Sequence, residues 1–330
     1  MRLVLAPCLL FAAAGLLAAE GPPPEVILVP GKDRTLVNPA CSHCKDEAKR
    51  RKGELRKEDR VLCWIRGKYQ GGAIPFRFFF HTYPVISDTY GVFVRDADAG
   101  FARGFEPSLD FTFHGWRNGV LVMRHKDGTL YSALSGRAFA GKRKGERLVP
   151  VPTVLSDWGW WVEHYPDTVA YHLFDKYKPA PAPGPSPESR KTRPKPDPRL
   201  PAEEPVLGAW LGKSARAYPL AALRKKAVLH DKVGPLDLVA FYHEPTRAAA
   251  AYEPVASPPT PGAPPRTLTF APAGKGEAAG FKDRETESSW DVAGRCVAGP
   301  LKGWTLRWID TVEVKWYAWA AEYPETTIHK

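Results

Sequence analysis

The stretch Gly136-Arg-Ala-Phe-Ala-Gly141-Lys-Arg-Lys-Gly145, followed by Trp158-Gly-Trp-Trp161 and Tyr165-Pro-Asp-Thr168, returns 158 residues later. There it reads Gly294-Arg-Cys-Val-Ala-Gly299-Pro-Leu-Lys-Gly303, then Trp316-Tyr-Ala-Trp319 and Tyr323-Pro-Glu-Thr326. Fourteen of the 33 gap-free pairs from Gly136 to Thr168 are identical, two tryptophans among them, far beyond chance. The front of the unit recurs at a smaller offset. Val61-Leu62 and Gly67-Lys68 pair with Val206-Leu207 and Gly212-Lys213 at 145, and Val85, Asp88 and Gly91 pair with Val228, Asp231 and Gly234 at 143. The growing offset places an insertion in the second copy, most of it in the proline-rich patch Ser257 to Pro265.

Within each copy the pattern is mostly strand. Leu109 to His114 alternates, Arg117-Asn118-Gly119 supplies a turn, and Val120 to His125 returns; Lys126-Asp127-Gly128 turns again into Thr129 to Leu134. The shared spacing of Gly136, Gly141 and Gly145 with Gly294, Gly299 and Gly303 predicts turns that need positive φ or close backbone approach. Trp158, Trp161 and Tyr165 fall at i, i+3 and i+7, which predicts a short helix capped by Ser156 and stopped by Pro166. Trp316, Trp319 and Tyr323 repeat that stripe before Pro324, and at helical spacing such a face reads as core rather than a ligand platform. The expected fold class is α+β, mainly β: two tandem pseudo-repeats of antiparallel strands, each closed by one short aromatic-faced helix.

The ends and the middle of the chain have a different character. Arg2 precedes an apolar run from Leu3 to Ala19 and then Glu20-Gly21-Pro22-Pro23-Pro24, the pattern of a cleaved secretory signal peptide. The 34 prolines among 330 residues are about twice ordinary usage and cluster from Lys178 to Pro201, which predicts an extended polyproline linker. The expected organisation is therefore a signal peptide over 1–19, an N-terminal segment over 20–59 with a Cys-x-x-Cys and a basic helix from Lys45 to Arg56, and a first repeat over 60–177. A linker over 178–204 and a second repeat over 205–330 complete it. The net charge of +11 concentrates in Arg2, Lys45 to Arg60 and Lys178 to Arg199, which together hold +8. The remainder is nearly neutral, so a basic face for nucleic acid is not expected.

Several short motifs resemble the bacterial domain-of-unknown-function family 3179. They are Leu109-Asp-Phe-Thr-Phe113, Gly119-Val-Leu-Val-Met123, Gly136-Arg-Ala-Phe-Ala-Gly141 and Tyr165-Pro-Asp-Thr168 in the first copy. The second copy adds Ala215-Arg-Ala-Tyr-Pro-Leu220, Asp283-Arg-Glu-Thr286 with Trp290, and Val297-Ala-Gly-Pro-Leu301. The resemblance spans roughly 60–330 and implies an exported, β-rich tandem arrangement; it implies no reaction. This chain departs from the family by lacking the usual Tyr-Cys-Pro-Leu-Cys-Gly segment of the first copy. Ser87-Asp88-Thr89-Tyr90-Gly91 stands at the corresponding turn, and Val92 to Asp96 follow without a cysteine.

Chemistry is sparse. Removing Cys8 with the signal leaves Cys41, Cys44, Cys63 and Cys296, an even number for an oxidising compartment. Cys41-Ser-His43-Cys44, with Cys63 as the nearby fourth donor, has two readings: a local or Cys63-linked disulfide, which is preferred, or a site for a soft or borderline divalent metal or for thiol redox chemistry. Cys296 aligns with Ala138 and is expected to be a small buried hydrophobe. Asp96 with Asp98, and Asp283 with Glu285 and Glu287, read as solvated turns, and no histidine pair has metalloprotease spacing. The sequence thus leans away from an enzyme. It points to an exported soluble protein, periplasmic or extracellular, acting as a binding or structural module, with metal or thiol chemistry at Cys41, His43 and Cys44 as the alternative. No nucleic acid and no stable membrane span after signal cleavage are expected, and other partners are left open.

Overall fold

The computed structural model describes residues 27–28, 35–37, 55–66, 70–79, 84–170, 186–260, 262–274, 276 and 280–329. In the first half β1 (Arg60–Arg66) and β2 (Gln70–Pro75) form a hairpin, and β3 (Val85–Ser87), β4 (Val92–Asp96) and β5 (Phe101–Phe105) a meander. A second meander follows in β6 (Phe111–Arg117), β7 (Val120–His125), β8 (Leu130–Ser132) and β9 (Ala138–Ala140). Then come β10 (Pro150–Val151), β11 (Val154–Asp157), helix α1 (Trp158–His164) and β12 (Val169–Ala170). A short helix α2 (Pro187–Lys191) precedes the second half.

The second half runs β13 (Pro205–Leu211), β14 (Ser214–Pro219), α3 (Leu220–Lys226), β15 (Val228–Val233), β16 (Leu236–His243) and β17 (Ala248–Ser257). It continues with β18 (Phe270–Ala273), β19 (Gly280–Asp283), β20 (Ser289–Trp290), β21 (Cys296–Ala298) and β22 (Thr305–Trp308). β23 (Asp310–Lys315), α4 (Trp316–Glu322) and β24 (Thr327–Ile328) end it. The protein is mainly β with short helices, and the sheets recur in order. β11-β1-β2-β12 matches β23-β13-β14-β24, each with a parallel last pair. β10-β5-β4-β3 matches β22-β17-β16-β15, and β6-β7-β8-β9 matches β18-β19-β20-β21. Registers agree too: Val154 lies opposite Cys63, and Val312 opposite Gly208.

Local chemistry explains the turns. Asn118 and Gly119 take φ of +54° and +72°, the two positive values that a two-residue hairpin between β6 and β7 needs. Gly136 and Gly294, at +70° and +73°, also sit where a Cβ would strike an aromatic ring, Phe105 in one half and Tyr252 in the other. One local expectation fails. Asp157, not Ser156, is the residue before α1; it makes no side-chain cap bond, and Ser156 is buried within β11. The helix therefore forms because its aromatic face is buried, not because it is capped.

Each half completes the other's core. In the sheet built on β1 and β2, alternate residues face opposite ways. Leu62, Trp64 and Ile74 pack with Ile86 and Phe93 of their own half. Val61, Cys63 and Ala73, with Trp158, Trp161 and Tyr165, instead pack with Phe241, Phe270, Phe281, Trp290 and Leu306 of the second half. The exchange is reciprocal. Val206, Ala217, Val312, Val314, Trp316 and Trp319 join Phe101, Phe105, Phe111, Trp116 and Tyr131 of the first half. A sheet covered on both faces reads as a near-continuous apolar run, which is the character of Val61-Leu62-Cys63-Trp64-Ile65.

The two tryptophan helices find room differently. A Cβ on Gly208 would lie 2.3 Å from the Trp319 ring, whereas Cys63 occupies the equivalent strand position in the first half. There the room comes from β2, where a Cβ on Gly71 would lie 3.3 Å from Trp161. Cys63 thus fills a small core position, and Cys296 is likewise buried.

The described part of the linker, from Ser186 onward, is a strap rather than a free spacer. The Ser186 N–H donates to both carboxylate oxygens of Asp98, at 3.0 and 2.9 Å, and the Gly119 N–H donates to Thr192 Oγ1 at 2.9 Å. The Arg193 guanidinium lies 4.4 Å from the Tyr317 ring centroid and that of Arg199 lies 5.1 Å from Trp316. Trp316 Nε1 donates to the Asp197 carbonyl at 3.2 Å. Proline-rich composition predicts an extended chain but not the aromatic surface of α4 that receives it.

Asp96, at the end of β4, carries a pH signature. Burial pushes its carboxyl up to about 6, although it accepts N–H bonds from Asp98, Ala99 and Leu121 at 3.0, 2.9 and 2.8 Å. A carboxyl raised on folding contributes stability that is fully present below its unfolded pKa and lost as pH rises through its folded one. Urea unfolding is therefore expected to show a loss of roughly 2.5 kcal/mol between pH 4 and pH 7.5 from this group, and Asp96→Asn to flatten that slope. An unchanged slope in the variant would assign the effect elsewhere.

Candidate functional site

A cavity of about 490 Å³ opens at the seam between the halves. One wall is the end of β13 and the segment after α4, where Trp210 and Tyr323 stack at 5.1 Å between centroids. Arg147, in the loop before β10, crosses this wall with its guanidinium 4.9 Å from the Trp210 ring. Its Nε donates to the Ser135 carbonyl at 2.7 Å, and its Nη2 to Asp310 Oδ2 at 2.7 Å and to the Tyr323 hydroxyl at 3.4 Å.

Asp310 is shared between two guanidiniums. Its Oδ1 accepts from Arg103 Nη2 at 2.7 Å, and Arg103, itself buried, also donates to the Leu134 carbonyl. Arg103 and Arg147 come from the first half and Asp310 from the second, so the cluster clasps the seam. Glu322 at the end of α4 adds a second tie, accepting from Ser132 Oγ at 3.1 Å and from Ser135 Oγ.

Arg216 of β14 lines both this cavity and a more open one of about 990 Å³, which Arg199, Leu200, Ile328 and His329 also help to line. Arg216 Nε donates to Asp231 Oδ2 at 2.6 Å, and the Tyr218 hydroxyl to the same oxygen at 2.9 Å. Burial opposes ionisation of Asp231, but the Lys232 N–H, Tyr218 and Arg216 hold its carboxyl below the usual range. Across the two cavities Arg137, Arg147, Arg199, Lys213, Arg216 and Lys232 line the walls, against Glu322 and Glu325. Along the sequence the positive excess concentrates in two segments and the rest is nearly neutral; folding gathers cations from both halves into one cleft.

The model of a family described as "Protein of unknown function (DUF3179)" matches residues 79–326. The chain belongs to the DUF3179 family. No curated protein and no solved structure matches this DUF3179 chain.

Most sequence-predicted site residues lie away from the cleft. Cys41, His43 and Cys44 are outside the described residues, as is most of the basic helix expected from Lys45 to Arg56. Cys63 is free and wholly buried, and burial pushes its thiol well above the ordinary cysteine range. A thiol held protonated in an apolar core is a poor metal ligand, and no disulfide joins it to another described cysteine. Among the described residues no group of three His, Cys, Asp or Glu side chains is arranged to hold a metal ion. Gly136, Gly141, Gly145, Gly294, Gly299 and Gly303 all take positive φ, and Trp158, Trp161, Trp316 and Trp319 are buried. No helix among the described residues is long and apolar enough to cross a membrane.

The residues that build the cleft of this DUF3179 protein were missed, although the duplication carried a signal. Arg147 aligns with Thr305, Asp310 with Pro152 and Glu322 with His164, and by strand register Ser132 stands where Asp291 stands in the second copy. Where two copies of one unit differ by a charge, symmetry has been broken for a local reason. Here the four differences converge on one seam. At the opposite seam Tyr165, the counterpart of Tyr323, donates to the buried Asp291 carboxylate, and Trp290 is packed in the core.

Proposed function

We propose that the chain is an exported, non-catalytic binding module, secreted by way of a signal peptide over 1–19, with the basic cleft between the repeats at 60–177 and 205–330 as its ligand site. One observation carries this reading. Asp310 is held by two arginines, Glu322 by two serines, and Asp231 by Arg216 and Tyr218, while Glu325 lies at the exposed rim. The side chains of Arg137 and Lys213, by contrast, have no acceptor among the described residues, so the cleft is arranged to receive a ligand rather than to move protons.

Two measurements test it on the full chain expressed with its own leader. N-terminal sequencing of the exported protein is expected to start at Glu20; retention in the cytosol with Met1 or Arg2 first would refute export. Native mass spectrometry of the purified protein is expected to show a released small molecule that stabilises the apoprotein on return. Chemical conversion of that molecule by the protein would overturn the non-catalytic reading.

A further inference from the structure

Resting on the reading of the cleft as a ligand site, we infer that its ligand is an organic anion: a carboxylate or phosphate group carried on a body about the size of one sugar ring. The charge argument comes first. Arg137, Arg147, Lys213, Arg216 and Lys232 border the narrower cavity. Arg147 and Arg216 are paired with Asp310 and Asp231, and Lys232 lies 3.7 Å from Asp237, which leaves Arg137 and Lys213 as the cations without a carboxylate partner among the described residues. Glu322 is held by Ser132 and Ser135, and Glu325 lies at the exposed rim. Arg137 and Lys213 therefore hold like charge beside a partly enclosed space without a paired carboxylate, which carries an electrostatic penalty. Their field is focused by low-dielectric walls, and an anion removes that penalty as it binds.

Donor geometry narrows the class. Arg147 is fixed through Nε and Nη2 by Ser135 and Asp310, which leaves Nη1 with no acceptor among the described residues. The guanidinium is pre-ordered, so little side-chain entropy is lost when the N–H groups of Nη1 meet an anionic oxygen. Carboxylate and phosphate supply such oxygens. Half-buried Trp210 and Tyr323, with Ala215, Val233 and Pro324, supply an apolar lining that a bare inorganic anion would leave wet. A volume of about 490 Å³ falls in the range of small-molecule sites, larger than phosphate alone requires.

The test uses the mature full-length protein in calorimetric titrations with glucose 6-phosphate, glucuronate, inorganic phosphate and glucose. Glucose 6-phosphate or glucuronate is expected to bind at least about tenfold more tightly than glucose and more tightly than inorganic phosphate, weakening as salt is raised. The double variant Arg137→Ser with Lys213→Ser removes two exposed cations and is expected to lose about tenfold in affinity with an unshifted melting temperature. Preference for phosphate over glucuronate, or the reverse, identifies which anion the site takes. Equal affinity for glucose and its phosphate, binding untouched by the double variant, or no binding by either charged sugar at millimolar concentration would each overturn the anion assignment. A neutral compound held in the cleft would do so while leaving the binding-module reading intact, whereas turnover of a probe would overturn that reading itself.

Discussion

Expressed separately, residues 20–177 and 186–330 are expected to remain unfolded or to aggregate, and to recover a native near-ultraviolet spectrum only when produced together. The reason is the exchanged cores. Without the second half, Trp158, Trp161 and Tyr165 lose Phe241, Phe281 and Trp290; without the first, Trp316 and Trp319 lose Phe101, Phe105 and Tyr131. Removing the packing of one large aromatic side chain costs about 3–5 kcal/mol, and a domain's net stability is about 5–15 kcal/mol, so losing three such contacts at once consumes the whole margin. Circular dichroism and denaturant titration of each half decide the matter. A cooperative transition in either half alone would show that the shared core is dispensable.

Asp310→Ala is expected to lower stability by about 3–5 kcal/mol, the range seen when one partner of a buried ion pair is deleted. Two guanidiniums, one of them buried, would then face each other across the seam without their common carboxylate. The consequence extends to the cleft, because Asp310 is one of the groups fixing Arg147 against Trp210. Combining Asp310→Leu with Arg103→Met should recover part of the loss, since the buried guanidinium leaves with its carboxylate while Arg147 keeps the Ser135 carbonyl and the Tyr323 hydroxyl. Equal destabilisation by Asp310→Ala and by the double variant in urea titrations would locate the effect in packing instead of charge.

How far the sequence reached depended on the range of the interactions involved. The hairpin at Asn118-Gly119 and the turns at Gly136 and Gly294 were legible because positive φ is a property of the residue itself. The tryptophan stripes were legible because spacing along a helix fixes a face. The N-cap at Ser156 was misassigned because β11 runs directly into α1 and buries that serine in a sheet. Separation also misled the reading of the prolines. A segment with so many reads as a tether, yet Arg193, Asp197 and Arg199 bind it to an aromatic helix more than a hundred residues away.

By itself the sequence determined that one β-rich unit occurs twice, where each copy turns, and which helix face is apolar. Those features follow from backbone preference and periodicity, which act over a few residues. Only the tertiary structure decided that each copy lends its helix and hairpin face to the other, since an apolar face specifies burial without naming what covers it. The cleft belongs to the same category. Arg147, Trp210, Asp310 and Tyr323 are scattered along the chain, and their charges and rings gain meaning only when the exchange of cores brings them to one seam.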